Sequence, residues 1–113
     1  MQAIAEMPEY SRRAERLLSE TERQAIIDHV AAFPKTGVIM QGTGGIRKLR
    51  LSRQSAGKSG GVRVIYYFHN EQMPLYLLTV FGKGEKANLS KAEHNELTKL
   101  VRLLVQRWSG SRE

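Results

Sequence analysis

The sequence predicts an α+β fold, a short antiparallel sheet set between helices, on three observations. Ser19-Glu20-Thr21-Glu22 and, later, Ser90 with Glu93 have the serine-to-glutamate spacing of a capping box, in which each side chain bonds the other's backbone N–H, so both mark helix starts. Val62 to Phe68 and Pro74 to Phe81 are β-branched, aromatic or leucine at nearly every position, as suits strands covered on both faces. Ile46 to Leu51 alternates, with Leu49 and Leu51 pointing one way, Arg47 with them at the strand entrance, and Lys48 and Arg50 pointing the other. At 113 residues and 12.8 kDa the chain is expected to be a single domain, 1–113.

In chain order, Gln2 to Met7 reads as an edge strand or a disordered tail. Pro8 suits the first turn of a helix, and Glu9 to Leu18 follows with good helix formers. The second helix starts at the first capping box, repeats Ile26, Ile27, Val30 and Ala31 at helical spacing, and ends at Phe33 before Pro34. The opening third is thus a helical hairpin. Gly37 through Gly45 turns sharply into the alternating strand through Gly42, Gly44 and Gly45. It is a poor phosphate-cradling loop, because it lacks a Gly-Lys-Ser/Thr ending and opens a strand rather than a helix. Ser52 to Gly61 is a long Ser, Gly and Lys connection. With His69-Asn70-Glu71-Gln72 as a polar turn, the three strands form an antiparallel meander. The final helix carries a stripe of Leu97, Leu100, Val101, Leu104, Val105 and Trp108 before Gly110.

Charge is distributed unevenly. Residues 1–34 hold 4 basic and 6 acidic side chains, 64–86 hold 2 of each, and 87–113 hold 5 against 3. Residues 35–63 hold Lys35, Arg47, Lys48, Arg50, Arg53, Lys58 and Arg63 and no acid, so this stretch equals the whole net charge of +7. Surfaces usually mix both signs, and seven cations without a carboxylate point to a polyanion, nucleic acid first. The blander reading is a basic loop that only aids solubility. The absence of cysteine excludes disulfide scaffolds, zinc fingers and thiol nucleophiles. No apolar run approaches the ~18 residues that span a bilayer, and the first ten residues lack a basic region, so a cytoplasmic protein is expected.

The string Gln41-Gly42-Thr43-Gly44-Gly45-Ile46-Arg47-Lys48-Leu49-Arg50, then Gly57-Lys58-Ser59-Gly60-Gly61-Val62-Arg63-Val64-Ile65-Tyr66-Tyr67, resembles the RelE/HigB family of bacterial type II toxins, most of all the HigB branch. The similarity continues through Leu77-Leu78-Thr79-Val80-Phe81-Gly82-Lys83-Gly84-Glu85-Lys86 and Leu89-Ser90. The first 34 residues match in type but not in motif. The resemblance implies a RelE-like fold: a curved antiparallel sheet with two helices on one side and a terminal helix. It also implies a ribosome-dependent, metal-independent endoribonuclease that uses no cofactor. Such an enzyme cuts mRNA in the A site, inhibits translation and is silenced by a cognate helix-turn-helix antitoxin. A monomer is the expected state of the toxin alone.

Cleavage of RNA through its 2′-hydroxyl needs in-line alignment, stabilisation of phosphorane charge and proton transfer at both ends. His29, His69 and His94 fall on a helix, a turn and another helix, which makes a shared site difficult to build. Cations on the strand face fit better. By resemblance, Arg63 matches the family's phosphate-binding arginine, Lys83 the lysine after the last strand, and Lys48 a strand lysine, with the register open between Arg47 and Lys48. These are the catalytic candidates. Arg47, Arg50, Arg53, Lys58 and Lys86 are the candidates for binding RNA and the ribosome. Relatives with an arginine and a tyrosine after the last strand have Gly84 and Leu89 in those places here. An ordinary solvated face is the alternative for Lys48 and Arg50. It suits Arg63 less, since a guanidinium entering a buried strand calls for an anion. Tyr66 and Tyr67 are candidates for base stacking, with at least one expected in the core. Two other functions share the expected surface or fold: a ParE-type toxin that inhibits DNA gyrase without cleaving RNA, and a plain RNA-binding module.

Overall fold

The structure, a computed structural model, describes residues 2–52, 61–82, 84–86 and 88–110. Its elements in order are β1 (Ile4–Glu6), α1 (Pro8–Leu17), α2 (Glu20–Ala32), β2 (Val38–Ile39), β3 (Ile46–Leu51), β4 (Val62–Tyr67), β5 (Leu75–Gly82) and α3 (Lys91–Gly110). Among the described residues the strands form one five-stranded sheet in the order β1-β5-β4-β3-β2. The helical hairpin, the β3-β4-β5 meander and the terminal helix all follow the sequence expectation.

Local chemistry accounts for the boundaries. Pro8 occupies the first turn of α1, and Leu18 turns to an extended ψ of 149° while its N–H still reaches Ala14 O. Ser19 Oγ accepts from the Glu22 N–H at 3.1 Å, and Glu22 Oε1 accepts from the Ser19 N–H at 2.8 Å. Ser90 and Glu93 repeat this reciprocal pair at 3.1 and 2.8 Å. The turn into β3 holds Gly42, Gly44 and Gly45 at φ of 77°, 79° and 114°, where a side chain would be strained. Thr43 is buried within it, its hydroxyl donating to Met40 O at 2.6 Å and accepting from the Ile46 N–H at 3.0 Å. The threonine thus closes the turn, leaving its hydroxyl no role in holding phosphate.

The sheet departs from expectation at its two edges. Gln2 to Met7 does contain a strand, but β1 runs parallel to β5, pairing Ile4 with Leu75 and Glu6 with Leu77, so the sheet is mixed rather than wholly antiparallel. The partner lies about seventy residues away in sequence, beyond the reach of local patterning. The other edge is β2, inside the stretch expected to be only a turn, where Val38 pairs with Lys48 and Ile39 with Arg47.

The sheet has an apolar layer on each side. Tyr10, Ala14, Leu18, Ile26 and Val30 from the helical hairpin bury against Leu49, Val62, Val64, Tyr66, Leu77 and Val80. On the opposite face α3 brings Leu97, Leu100, Val101, Leu104 and Trp108 to Ile46, Ile65, Tyr67, Leu78 and Phe81. Trp108 Nε1–H donates to Tyr76 Oη at 3.0 Å, which makes it a packing residue with a satisfied polar end. Gly61 enters β4 against the end of β3, and a Cβ there would collide with the Leu51 carbonyl.

Candidate nucleic-acid interface

The antiparallel register decides which cations meet. Leu49 pairs with Val64 and Leu51 with Val62 on the face covered by α1 and α2, so the intervening pairs, Lys48 with Ile65 and Arg50 with Arg63, lie on the α3 face. Arg63 also pairs with Phe81 on β5. One short patch therefore gathers Lys48, Arg50 and Arg63, with no acid among the residues that pair across it.

Arg63 is 9% exposed, and its Nε is buried with no hydrogen-bond partner among the described residues. Among the described residues its guanidinium meets no carboxylate, and Arg50 directly across the ladder adds a like charge. Like charges opposite one another oppose pairing, and a buried donor left unsatisfied costs about 1–3 kcal/mol. An approaching phosphate would relieve both effects.

Lys48 has a partner at the edge of the patch, and one further cation, Lys86, borders it. Lys48 Nζ donates to Asn88 Oδ1 at 2.9 Å. Lys86 Nζ lies 5.0 Å from the centroid of the Phe81 ring and 2.5 Å from Glu93 Oε2. Its ammonium, joined by the Ser90 N–H, holds the Glu93 carboxyl below its ordinary range. Asn88, Glu93 and Phe81 did not emerge as site residues from the sequence. Glu93 was visible there only as a helix cap, and nothing local marks Asn88.

Arg47 does not join this patch. It pairs with Tyr66, and its Nη1 donates to Lys35 O at 3.2 Å and Gly37 O at 2.8 Å. The Tyr66 hydroxyl completes the clamp, donating to Pro34 O and accepting from the Gly37 N–H, each at 2.8 Å. Arg47 thus secures the chain between α2 and β2 on the face away from Lys48, and the register places Lys48, not Arg47, beside Arg50. The alternation of β3 already put Arg47 with Leu49 and Leu51.

Lys83, Arg53 and Lys58 lie outside the described residues, as does most of the connection from Ser52 to Gly61. The histidines are dispersed. His29 bonds Thr36 at 3.2 Å, His69 bonds Tyr67 at 3.0 Å, and His94 faces Gly42. Tyr66 and Tyr67 are both buried and serve packing.

A groove of about 400 Å³ lined by Thr36, Val38, Lys48, Leu49 and Arg50 runs beside the patch. A larger recess of about 840 Å³ lies at the other end of the strands, around Phe33, Lys35, Phe68 and Glu71, but gathers no cluster of cations. Of the two, the smaller groove is the one lined by two cations of the patch. Among the described residues no group of three or more His, Asp or Glu side chains could hold a metal ion, and no helix is long and apolar enough to cross a membrane.

A family model described as the RelE toxin of the RelE/RelB toxin–antitoxin system matches residues 11–109, which takes in both capping boxes, the whole meander and the cationic patch. With a match over most of its length, and with this sheet and helix arrangement, the chain belongs to the RelE family of toxins, whose systems pair each toxin with an antitoxin.

Proposed function

We propose that this toxin is a ribosome-dependent endoribonuclease that cleaves mRNA in the A site, acting in the cytoplasm as a one-domain chain closest to the HigB branch. The observation that carries the reading is Arg63: a buried guanidinium with an unpartnered Nε, opposite Arg50 and unmatched by a carboxylate among the described residues. Such a group stabilises dianionic charge best, because it is already desolvated when the phosphorane forms.

In this mechanism Arg63 binds the scissile phosphate, while Lys48 and Lys83 stabilise the charge that grows during 2′-hydroxyl attack. Arg50 and Lys86 dock the flanking phosphates, and Arg53 and Lys58 contact ribosomal or messenger RNA. A helix-turn-helix antitoxin silences the protein by occupying this cationic surface with acidic side chains.

Induced expression with mapping of mRNA 5′ ends tests the reading. Cuts at regular positions within translated codons, absent for Arg63→Ala, are expected. Growth arrest without new 5′ ends would sink it, and arrest together with trapped gyrase would support the ParE-type function instead.

A further inference from the structure

The turn between β5 and α3 carries Glu85, the one carboxylate between residues 72 and 92 and the sequence neighbour of Lys86. Its oxygens are occupied. Oε2 accepts from Arg13 Nη1 at 2.8 Å, and Oε1 accepts from the Gly82 N–H at 3.4 Å. Arg13 is in turn held on α1, its Nε 3.3 Å from Glu9 Oε2, the oxygen that also accepts from Thr79 Oγ1 of β5 at 3.0 Å. The turn's backbone closes on Gly82 O, which accepts from the N–H groups of Glu85 at 3.0 Å and Lys86 at 3.4 Å. The pairing leaves its mark on both partners: the hydrogen bond raises the Arg13 pKa and lowers that of Glu85.

An ion pair as exposed as this one adds little to folding. Its position matters more. Lys86 already holds Glu93, so a second carboxylate released beside it would compete for that ammonium and repel phosphate approaching it and the cations nearby.

We propose that Arg13 is a positioning residue for the cationic surface, binding Glu85 from α1 and so keeping this carboxylate from competing with RNA phosphate at Lys86 and its neighbours. The inference rests on reading that surface as the RNA-cleaving site. It assigns a role to a helix far in sequence from every cationic candidate.

The test compares cleavage of ribosome-bound mRNA by Arg13→Ala, Glu85→Gln and the double variant, with thermal melts to confirm folding. Arg13→Ala should lose about fivefold in kcat/KM, mainly through KM, as one carboxylate at close range would cause. Glu85→Gln should match the wild type, and adding it to Arg13→Ala should restore cleavage. Glu15→Gln, which removes a different acid from α1, should restore nothing, and this separates local competition from net charge. A double variant as impaired as Arg13→Ala, an unimpaired Arg13→Ala, or equal rescue by Glu15→Gln would each overturn the proposal. Affinities for a short single-stranded RNA should follow the same order. Should the wild type cleave no mRNA, the enzymatic reading falls, while this affinity order still judges the role of Arg13.

Discussion

Arg47 and Arg63 stand on neighbouring strands, each with a buried Nε that bonds nothing among the described residues, yet they serve opposite ends. Arg47 faces the hairpin side of the sheet, where its Nη1 closes on two backbone carbonyls. Arg63 faces the α3 side, where Arg50 is its nearest charged neighbour across the ladder. The two faces differ in the same sense. On the hairpin side Arg23 pairs with Glu6 at 3.1 Å and Arg13 with Glu9 at 3.3 Å, so cations there have anions of their own. On the α3 side Arg50 and Arg63 have none among the described residues. Arg47 uses its Nη1 donors on the backbone and ties the fold down, whereas Arg50 and Arg63 keep their charge available to a ligand.

The largest test of this contrast is Arg63→Ala. Removing an electrostatic contact to the scissile phosphate should lower cleavage by about 10²–10³-fold while the melting temperature stays near wild type. Retained cleavage in a folded Arg63→Ala protein would erase the functional difference between the faces.

Arg47→Ala and Tyr66→Phe should show the converse. Each removes bonds that tie down residues 34–37, and unfolding in urea should reveal a loss of about 1–3 kcal/mol. The folded fraction should cleave at the wild-type rate. A cleavage defect in Arg47→Ala without a stability defect would move Arg47 back among the RNA contacts.

Arg50→Ala separates function from stability at a single position. Relief of its repulsion with Arg63 should stabilise the free protein by a few tenths of a kcal/mol, about the scale of an exposed pair. The same change should weaken ribosome binding and reduce the log-log salt slope by about 0.7–0.9, the loss of one phosphate contact. An unchanged slope would remove Arg50 from the interface.

The smallest expected effect is on acid stability. Glu85 and Glu93 both have pKa values lowered in the fold, chiefly by Arg13 and Lys86. A depressed carboxylate contributes stability above its unfolded pKa, near the ordinary 4.5, and loses it as pH falls through the lower folded value. Urea midpoints should therefore hold from neutral pH to about 5 and decline below about 4.5, less steeply in Glu93→Gln. Equal slopes would mean that the Lys86 pair contributes nothing.

Much of this architecture was legible beforehand because its causes are local. A capping box needs only Ser19 and Glu22, or Ser90 and Glu93, at the right spacing, and the period of two in Ile46 to Leu51 separates Lys48 and Arg50 from the leucines. That period also assigned Arg47 to the leucine side, although its basic character placed it with the RNA-binding candidates. Of the edge strands, β1 was expected only as an alternative to a disordered tail and without its partner, and β2 was not expected at all. Three residues of β1 and two of β2 are too short to carry a pattern, and each is stabilised by a ladder to a strand supplied from elsewhere in the chain.

The sequence alone determined the helix starts, the glycine turn, the meander and the excess of cations, since each follows from neighbours within a few positions. Only the tertiary structure decided which cations face one another. The strand register sets Arg50 against Arg63, α3 brings Glu93 to Lys86, the segment before it brings Asn88 to Lys48, and α1 delivers Arg13 to Glu85 across 72 positions of sequence. A charge acts over a few ångströms of space, and no spacing along the chain reports which charges folding will bring within that distance.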